Sequence, residues 1–211
     1  RAAPTELRAR RRATDRLVAD GGLALRLPFA GPLDVEAVFA FLAPRAIPGV
    51  EHVDGGTYRR TIIVEGDPGV IELRAGGDDH VLLVAHLPHW EGLIHVVDRA
   101  RRILALDVPI GDAVGHLGGD PVIGLLVGAR PGLRPAGTWD PFETGVRAIL
   151  GQQVSVAGAT TLAGRLAARL GRRVPGLDAF GLSHTFPDAA TVAGADLAGQ
   201  LGDVGKPQLL G

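Results

Sequence analysis

Few side chains in this chain are placed to do chemistry. Two adjacent glutamines, Gln152 and Gln153, stand in the phrase ILGQQVSV, where a helical pattern breaks at Gly151. Both are uncharged and carry donors as well as acceptors. Taken alone, their simplest use is to cap helix ends. His80, His86, His89 and His95 lie close together in sequence, but their spacing forms no ligand motif and no carboxylates are arranged beside them, so no metal site is expected. His86 and His89 flank Pro88 and read as surface histidines at a strand–helix junction. Ser155 and Ser183 have no His and Asp partners in their sequence context, which argues against a serine hydrolase. The absence of cysteine excludes disulfides, Cys-ligated zinc and an alkyl-accepting thiol. No cofactor is called for.

The elements that must position the glutamines are two helices meeting at a tight corner, residues 140–171. Asp140 suits an N-cap, Pro141 the first helical position, and Glu143 completes a capping-box-like start. Phe142, Val146, Ile149 and Leu150 fall on one face at helical spacing. In the second helix Leu162, Leu166 and Leu170 line up four apart. Gly171 is placed to end it in the left-handed conformation, with Arg165 and Arg169 near the negative helix end.

Upstream, the period changes. Leu23, Leu25 and Leu27 alternate with polar or small residues, as in a half-buried strand. Residues 33–42 form an amphipathic helix with Asp34 as N-cap and Val35, Val38, Phe39 and Leu42 on its apolar face. Four strands follow over 50–53, 58–65, 70–74 and 81–87. They are separated by the turn sequences Asp54-Gly55-Gly56, Asp67-Pro68-Gly69 and Gly76-Gly77-Asp78. Residues 91–104 return to helical spacing. Strand, helix, several strands, helix describes an antiparallel sheet with two helices on one face, an α+β layer. Two short helices over 111–117 and 120–127 connect this layer to the corner. A loop over 172–185 and short helices over 187–200, begun by Asp188 and Asp196, come after it.

Composition narrows the field without deciding it. The chain has 211 residues, is 46% hydrophobic and carries a net charge of −1, so it can bury a core. Any contact with nucleic acid must come from local patches. Nearly all the positive charge is arginine, a fork suited to phosphates and base edges that also follows from a codon bias toward Ala, Gly, Arg and Val. No signal-peptide pattern and no uninterrupted apolar run of membrane length appears in these residues. The chain begins at Arg1 and has no Met, as expected of a piece of something longer, and its lack of cysteine fits a reducing cytoplasm.

The phrase FETGVRAILGQQVSV, with its lead-in ARPGLRPAG, closely resembles the opening of the helical domain in AlkA-type 3-methyladenine DNA glycosylases, of the helix-hairpin-helix glycosylase superfamily. A weaker likeness runs from about residue 23 to 201. It implies a TATA-binding-protein-like sheet over 22–106, then the first helices of an all-α glycosylase domain over 107–211. Residues 1–21 form a basic stretch, expected to be helical after Pro4. The words APTELRARR are similar to the tail of AraC-type helix-turn-helix domains, which implies an Ada-like regulator fused ahead.

The activity implied is base-excision repair: flipping an alkylated purine such as 3-methyladenine out of damaged double-stranded DNA and hydrolysing its glycosidic bond. Gln153 falls at the family's intercalating position, with Gln152 and Ser155 beside it on the DNA-facing side. Some family members have Leu where Gln153 stands. Phe41 falls at the place of a pocket aromatic. Phe39, two residues away, cannot share its face and reads as core, and packing roles for both rings stay open. The family's glycine-rich hairpin and catalytic aspartate are expected beyond Gly211, which leaves this chain no catalytic residue and no excision activity alone. Asp188, Asp196 and Asp203 all precede the hairpin's expected place and are not assigned that role. A monomer is expected, with no membrane partner. The competing reading is a non-catalytic DNA- or protein-binding module of a regulator.

Overall fold

In the computed structural model, which describes residues 22–196, five antiparallel strands form one sheet in the order β1-β5-β4-β3-β2. They are β1 Leu23–Pro28, β2 Glu51–Asp54, β3 Thr57–Val64, β4 Asp67–Ala75 and β5 His80–His86. The stretch 1–16, the helix expected from Asp196 onward and Asp203 lie wholly or mostly outside the described residues. Gly55 and Gly56 join β2 to β3 with φ of 53° and 70°, the twist that a two-residue hairpin turn requires.

One expected turn is misplaced. Asp67, Pro68 and Gly69 belong to β4, paired with Val64, Ile63 and Ile62. The turn is Glu65-Gly66, with φ of 48° and 86°. β5 pairs with β4 only from Val70 onward, so Pro68 has no β5 neighbour to bond with its missing N–H.

The period-two rows place Leu27, Tyr58, Ile62, Ile71, Leu73, Val81, Leu83 and Ala85 in one buried layer. Helices α1 (Val35–Leu42) and α2 (Leu93–Ile103) cover it with Val38, Phe39, Val96, Ala100 and Ile103. Asp34 caps α1 by accepting from the Ala37 amide at 2.8 Å. The short helices α3 (Ile110–Gly118) and α4 (Ile123–Ala129) lead on to α5 (Pro141–Leu150), α6 (Val156–Leu170) and α7 (Ala189–Ala193). Among the described residues no helix is long and apolar enough to cross a membrane.

The segment 130–139 ties the layers together. Arg134 is buried and donates to the carbonyls of Ala30, Pro32, Ala105, Leu106 and Val108, joining the β1–α1 loop to the end of α2. Gly137 lies so close to α2 that a Cβ there would sit 2.1 Å from the Arg102 carbonyl oxygen. Both residues belong to ARPGLRPAG, so that phrase is chiefly a packing device.

One more expectation changes. Gly171 ends α6 in an extended conformation, φ −72° and ψ 154°. A Cβ there would meet the Thr185 carbonyl oxygen at 2.0 Å, so close approach rather than handedness requires glycine. The loop expected over 172–185 is present, and it packs on the sheet. Val174, Leu177 and Leu182 pack with Val70 on the second face of the sheet, and Ser183 bonds the Gly49 carbonyl at 2.7 Å. The second face is therefore covered around Val70, while Ala24, Arg26, Ile63 and Arg74 on the same face stay exposed.

Candidate nucleic-acid interface

The corner between α5 and α6 is built by its caps. Asp140 accepts from the Phe142 and Glu143 amides at 2.9 and 3.1 Å, starting α5. Gly151 closes it, its amide bonding the Arg147 carbonyl at 2.9 Å. Ser155 starts α6 by accepting from the Gly158 amide at 3.1 Å. Capping is thus done by Asp140, Gly151 and Ser155. The side chains of Gln152 and Gln153 are exposed and make no hydrogen bond among the described residues.

Gln153 has φ of 60°, in the left-handed region that glycine favours. Holding a glutamine there costs roughly 1–2 kcal/mol, a strain that tends to gather at functional positions. Around it Ile149, Val154 and Val156 are exposed apolar side chains. Ile149, at helical spacing with Phe142, Val146 and Leu150, stands 68% exposed beside the glutamines.

Beneath the corner lies a buried ionic cluster. Arg60 on β3 bonds Glu143 Oε2 of α5 at 2.7 Å and Glu51 Oε1 of β2 at 3.3 Å. Arg147 bonds Glu51 Oε2 at 3.0 Å and Glu143 Oε1 at 3.4 Å. Tyr58 donates to Glu51 at 2.6 Å, and the Ile47 amide does so at 3.0 Å. Burial alone would raise the Glu51 carboxyl, but Arg60, Arg147 and these two donors outweigh it and hold it below the usual range. Burial and the Glu51 carboxylate together push the Tyr58 hydroxyl well above its ordinary value.

Glu143 therefore does not close a capping box. Its side chain faces Arg60 across the contact between the sheet and α5. Sequence reasoning passed over Glu51, Arg60 and Arg147. One signal was available: Arg60 falls on the inward row of Tyr58, Ile62 and Val64, where a charge needs a partner.

Phe39 and Phe41 separate as their two-residue spacing requires. Phe39 is buried against Tyr58 with ring centroids 6.3 Å apart. Phe41 is 47% exposed and lines a cavity of about 170 Å³ with Tyr58, Trp139 and the ionic cluster. The Arg45 guanidinium lies 3.8 Å from the Phe41 ring centre, its Nη1 bonding the Phe41 carbonyl. Both carboxylates lining the cavity, Glu51 and Glu143, are held by arginines. Such a site can stack and orient a flat group, but it offers no unpaired carboxylate for hydrolysis.

The remaining candidates stay apart. His80 pairs with Asp79, His86 with Glu72, and His89 with Asp67 and Glu91. His86 is not a surface residue. It is 4% exposed beneath Gly22, on the second face of the sheet opposite its strand partner Val70, where that face is covered. Among the described residues no three His, Cys, Asp or Glu side chains are grouped to hold a metal. Ser183 bonds His184 at 2.9 Å with no carboxylate completing a triad among the described residues. Asp188 caps α7 through the Thr191 amide at 2.7 Å.

Residues 24–140 match the family model described as the AlkA N-terminal domain. A "Probable bifunctional transcriptional activator/DNA repair enzyme AlkA" of Mycobacterium tuberculosis is 41% identical over 196 residues, 92% of this chain and 39% of that protein. "DNA-3-methyladenine glycosylase 2" of Escherichia coli is 37% identical over 167 residues, 78% of this chain and 56% of that protein. The chain thus spans 39% and 56% of the lengths of these relatives. Among solved structures, a 3-methyladenine DNA glycosylase from Archaeoglobus fulgidus aligns with a TM-score of 0.68 at 21% identity, covering 80% of this chain and 57% of that one. An 8-oxoguanine glycosylase/lyase from Clostridium acetobutylicum aligns with a TM-score of 0.55 at 17% identity, covering 77% and 51%. These likenesses show a shared α+β fold with glycosylases. With the family match spanning more than half of its length, the chain belongs to the AlkA N-terminal domain family.

Proposed function

We propose that this chain is the lesion-facing part of a DNA glycosylase that excises alkylated purines, such as 3-methyladenine, from damaged double-stranded DNA in base-excision repair. The observation that carries the reading is Gln153: its side chain is exposed, makes no hydrogen bond among the described residues, and stands at φ 60° on the tip of the two-helix corner. A wedge entering the minor groove must project from a fixed frame and have no partner in the protein. Glutamine supplies both donor and acceptor for the orphaned base. Gln152 and the Ser155 hydroxyl flank it on the same loop.

Phe41 is assigned to the pocket. Its ring already carries a planar cation, Arg45, and an electron-poor alkylated base offers the same kind of partner once Arg45 swings aside. Hydrolysis also needs a carboxylate to stabilise an oxocarbenium-like sugar. We assign that group to the part of the relatives' length that this chain does not span. Residues 22–106 act as the sheet domain and 107–211 as the start of the helical domain of a cytoplasmic, monomeric enzyme that requires no cofactor. A regulatory partner region ahead of residue 22 is favoured by the M. tuberculosis relative, whose name joins transcriptional activation to repair.

The test compares release of 3-methyladenine from methylated duplex DNA by this chain and by a version extended downstream to the relatives' length. Activity confined to the extended version is expected. Activity in both would place the catalytic carboxylate within these residues. Silence in both, with DNA binding kept, would leave the non-catalytic binding module.

A further inference from the structure

We infer that the sheet domain is a positioning element for the α5–α6 corner, acting through the closed ionic clamp of Glu51, Arg60, Glu143 and Arg147. The inference rests on the reading of that corner as DNA-facing.

Each carboxylate takes both arginines and each arginine takes both carboxylates, at 2.7 to 3.4 Å. Glu51 and Arg60 are direct cross-strand partners on β2 and β3. Glu143 and Arg147 are one turn apart on α5, and the glutamines begin five residues after Arg147. The clamp therefore joins two fixed points of the sheet to two fixed points of the helix that carries the corner. Turning α5 by one residue, about 100°, would break its links to the sheet together. An apolar interface of the same area would tolerate such slippage, whereas directional charged bonds do not, and fixing register is the best-attested use of buried polar groups.

The second helix is indexed to the same place. Arg147 also bonds the Arg45 carbonyl at 2.6 Å, and the Glu51 carboxylate holds the Ile47 amide. Pro48 packs 3.0 Å from where a Cβ on Gly164 of α6 would stand, and Ile47 packs against Ala163 and Ala167. Residues 45–51 thus act as a shared seat for both helices flanking Gln153. Catalytic sites depend on such supporting shells, because a displacement near 1 Å can cost roughly 100-fold in rate.

The discriminating variant is Arg60→Met with Glu143→Leu. It removes one charge of each sign, leaves Glu51 paired with Arg147, and replaces the ion pair by apolar groups of similar size. Spin labels at Arg74→Cys and Ala168→Cys, both exposed, report the sheet-to-α6 distance, and the absence of native cysteine makes the labels unique. Unstacking of 2-aminopurine in duplex DNA reports the corner, with Gln153→Ala as its control.

The double variant is expected to keep a cooperative thermal transition, broaden the distance distribution and need at least about tenfold more protein for half-maximal unstacking. A narrow distribution at the wild-type distance with unchanged unstacking would overturn the inference. If the double variant fails to fold, Arg147→Lys, which keeps the charge but loses the fork, is expected to broaden the distribution. A wild-type distribution there would equally overturn the inference. If the wild-type chain gives no unstacking while the distances respond as stated, the DNA-facing reading fails and the clamp stands.

Discussion

Arg60 on the third strand and Glu143 on the helix before the corner meet at 2.7 Å, with side chains 2% and 5% exposed. They are 83 residues apart in sequence, and their pairing joins the sheet to the helical part. Removing Glu143 leaves Arg60 and Arg147 sharing the single carboxylate of Glu51, an excess positive charge in a largely buried site. Glu143→Ala is expected to destabilise the fold by about 3–5 kcal/mol, measured as a shift of the urea midpoint at unchanged slope. A shift within experimental error would show that Glu51 alone suffices to hold both arginines.

Acid should loosen the same junction. The Glu51 carboxyl is held below its ordinary value of 4.5 in the fold, so its contribution is present above pH 4.5 and is lost as pH falls through the lowered value. Thermal midpoints are expected to hold down to about pH 4.5 and then decline. Glu51→Gln should begin lower and decline less steeply. Tyr58 gives the opposite limb: its hydroxyl is raised above 10.0, so its contribution is present below pH 10 and is lost as pH rises beyond. Equal acid slopes for wild type and Glu51→Gln would remove Glu51 from the account.

The two phenylalanines should separate stability from recognition. Phe39→Ala opens the core against Tyr58 and is expected to cost about 3–5 kcal/mol. Phe41→Ala should cost under about 1 kcal/mol, as exposed positions do, yet weaken binding of duplexes carrying an alkylated purine. Equal loss of stability in both would return Phe41 to a packing role.

Much of this was legible because local chemistry and tertiary structure agree. The alternation of Leu23, Leu25 and Leu27, the Asp34 and Asp140 caps and the Gly55-Gly56 turn act within a few residues, and each reappears in the fold. Pro68 misled because a proline next to Asp and Gly usually turns the chain, whereas here the end of the β5 pairing made room for it. Gly171 misled because contact with Thr185, not its own dihedral angles, selects glycine. The corner was visible through its neighbouring phrase. The clamp was not, since Glu51, Arg60 and Glu143 are ordinary charged residues until strands and helix are brought together. Nor does periodicity show that Val174, Leu177 and Leu182 pack on the second face of the sheet at Val70.

The central claim, that Gln153 is the group that enters DNA, is tested most directly by changing only that side chain. Gln153→Gly relieves the left-handed backbone and should be neutral or stabilising by up to about 1 kcal/mol, while Gln153→Ala should be close to neutral. In the chain extended to the relatives' length, both variants are then assayed for 2-aminopurine unstacking and for release of 3-methyladenine from methylated duplex DNA. Stable proteins that bind duplex DNA but neither unstack nor excise are predicted. Unchanged unstacking and excision in both would contradict the account and move the wedge elsewhere.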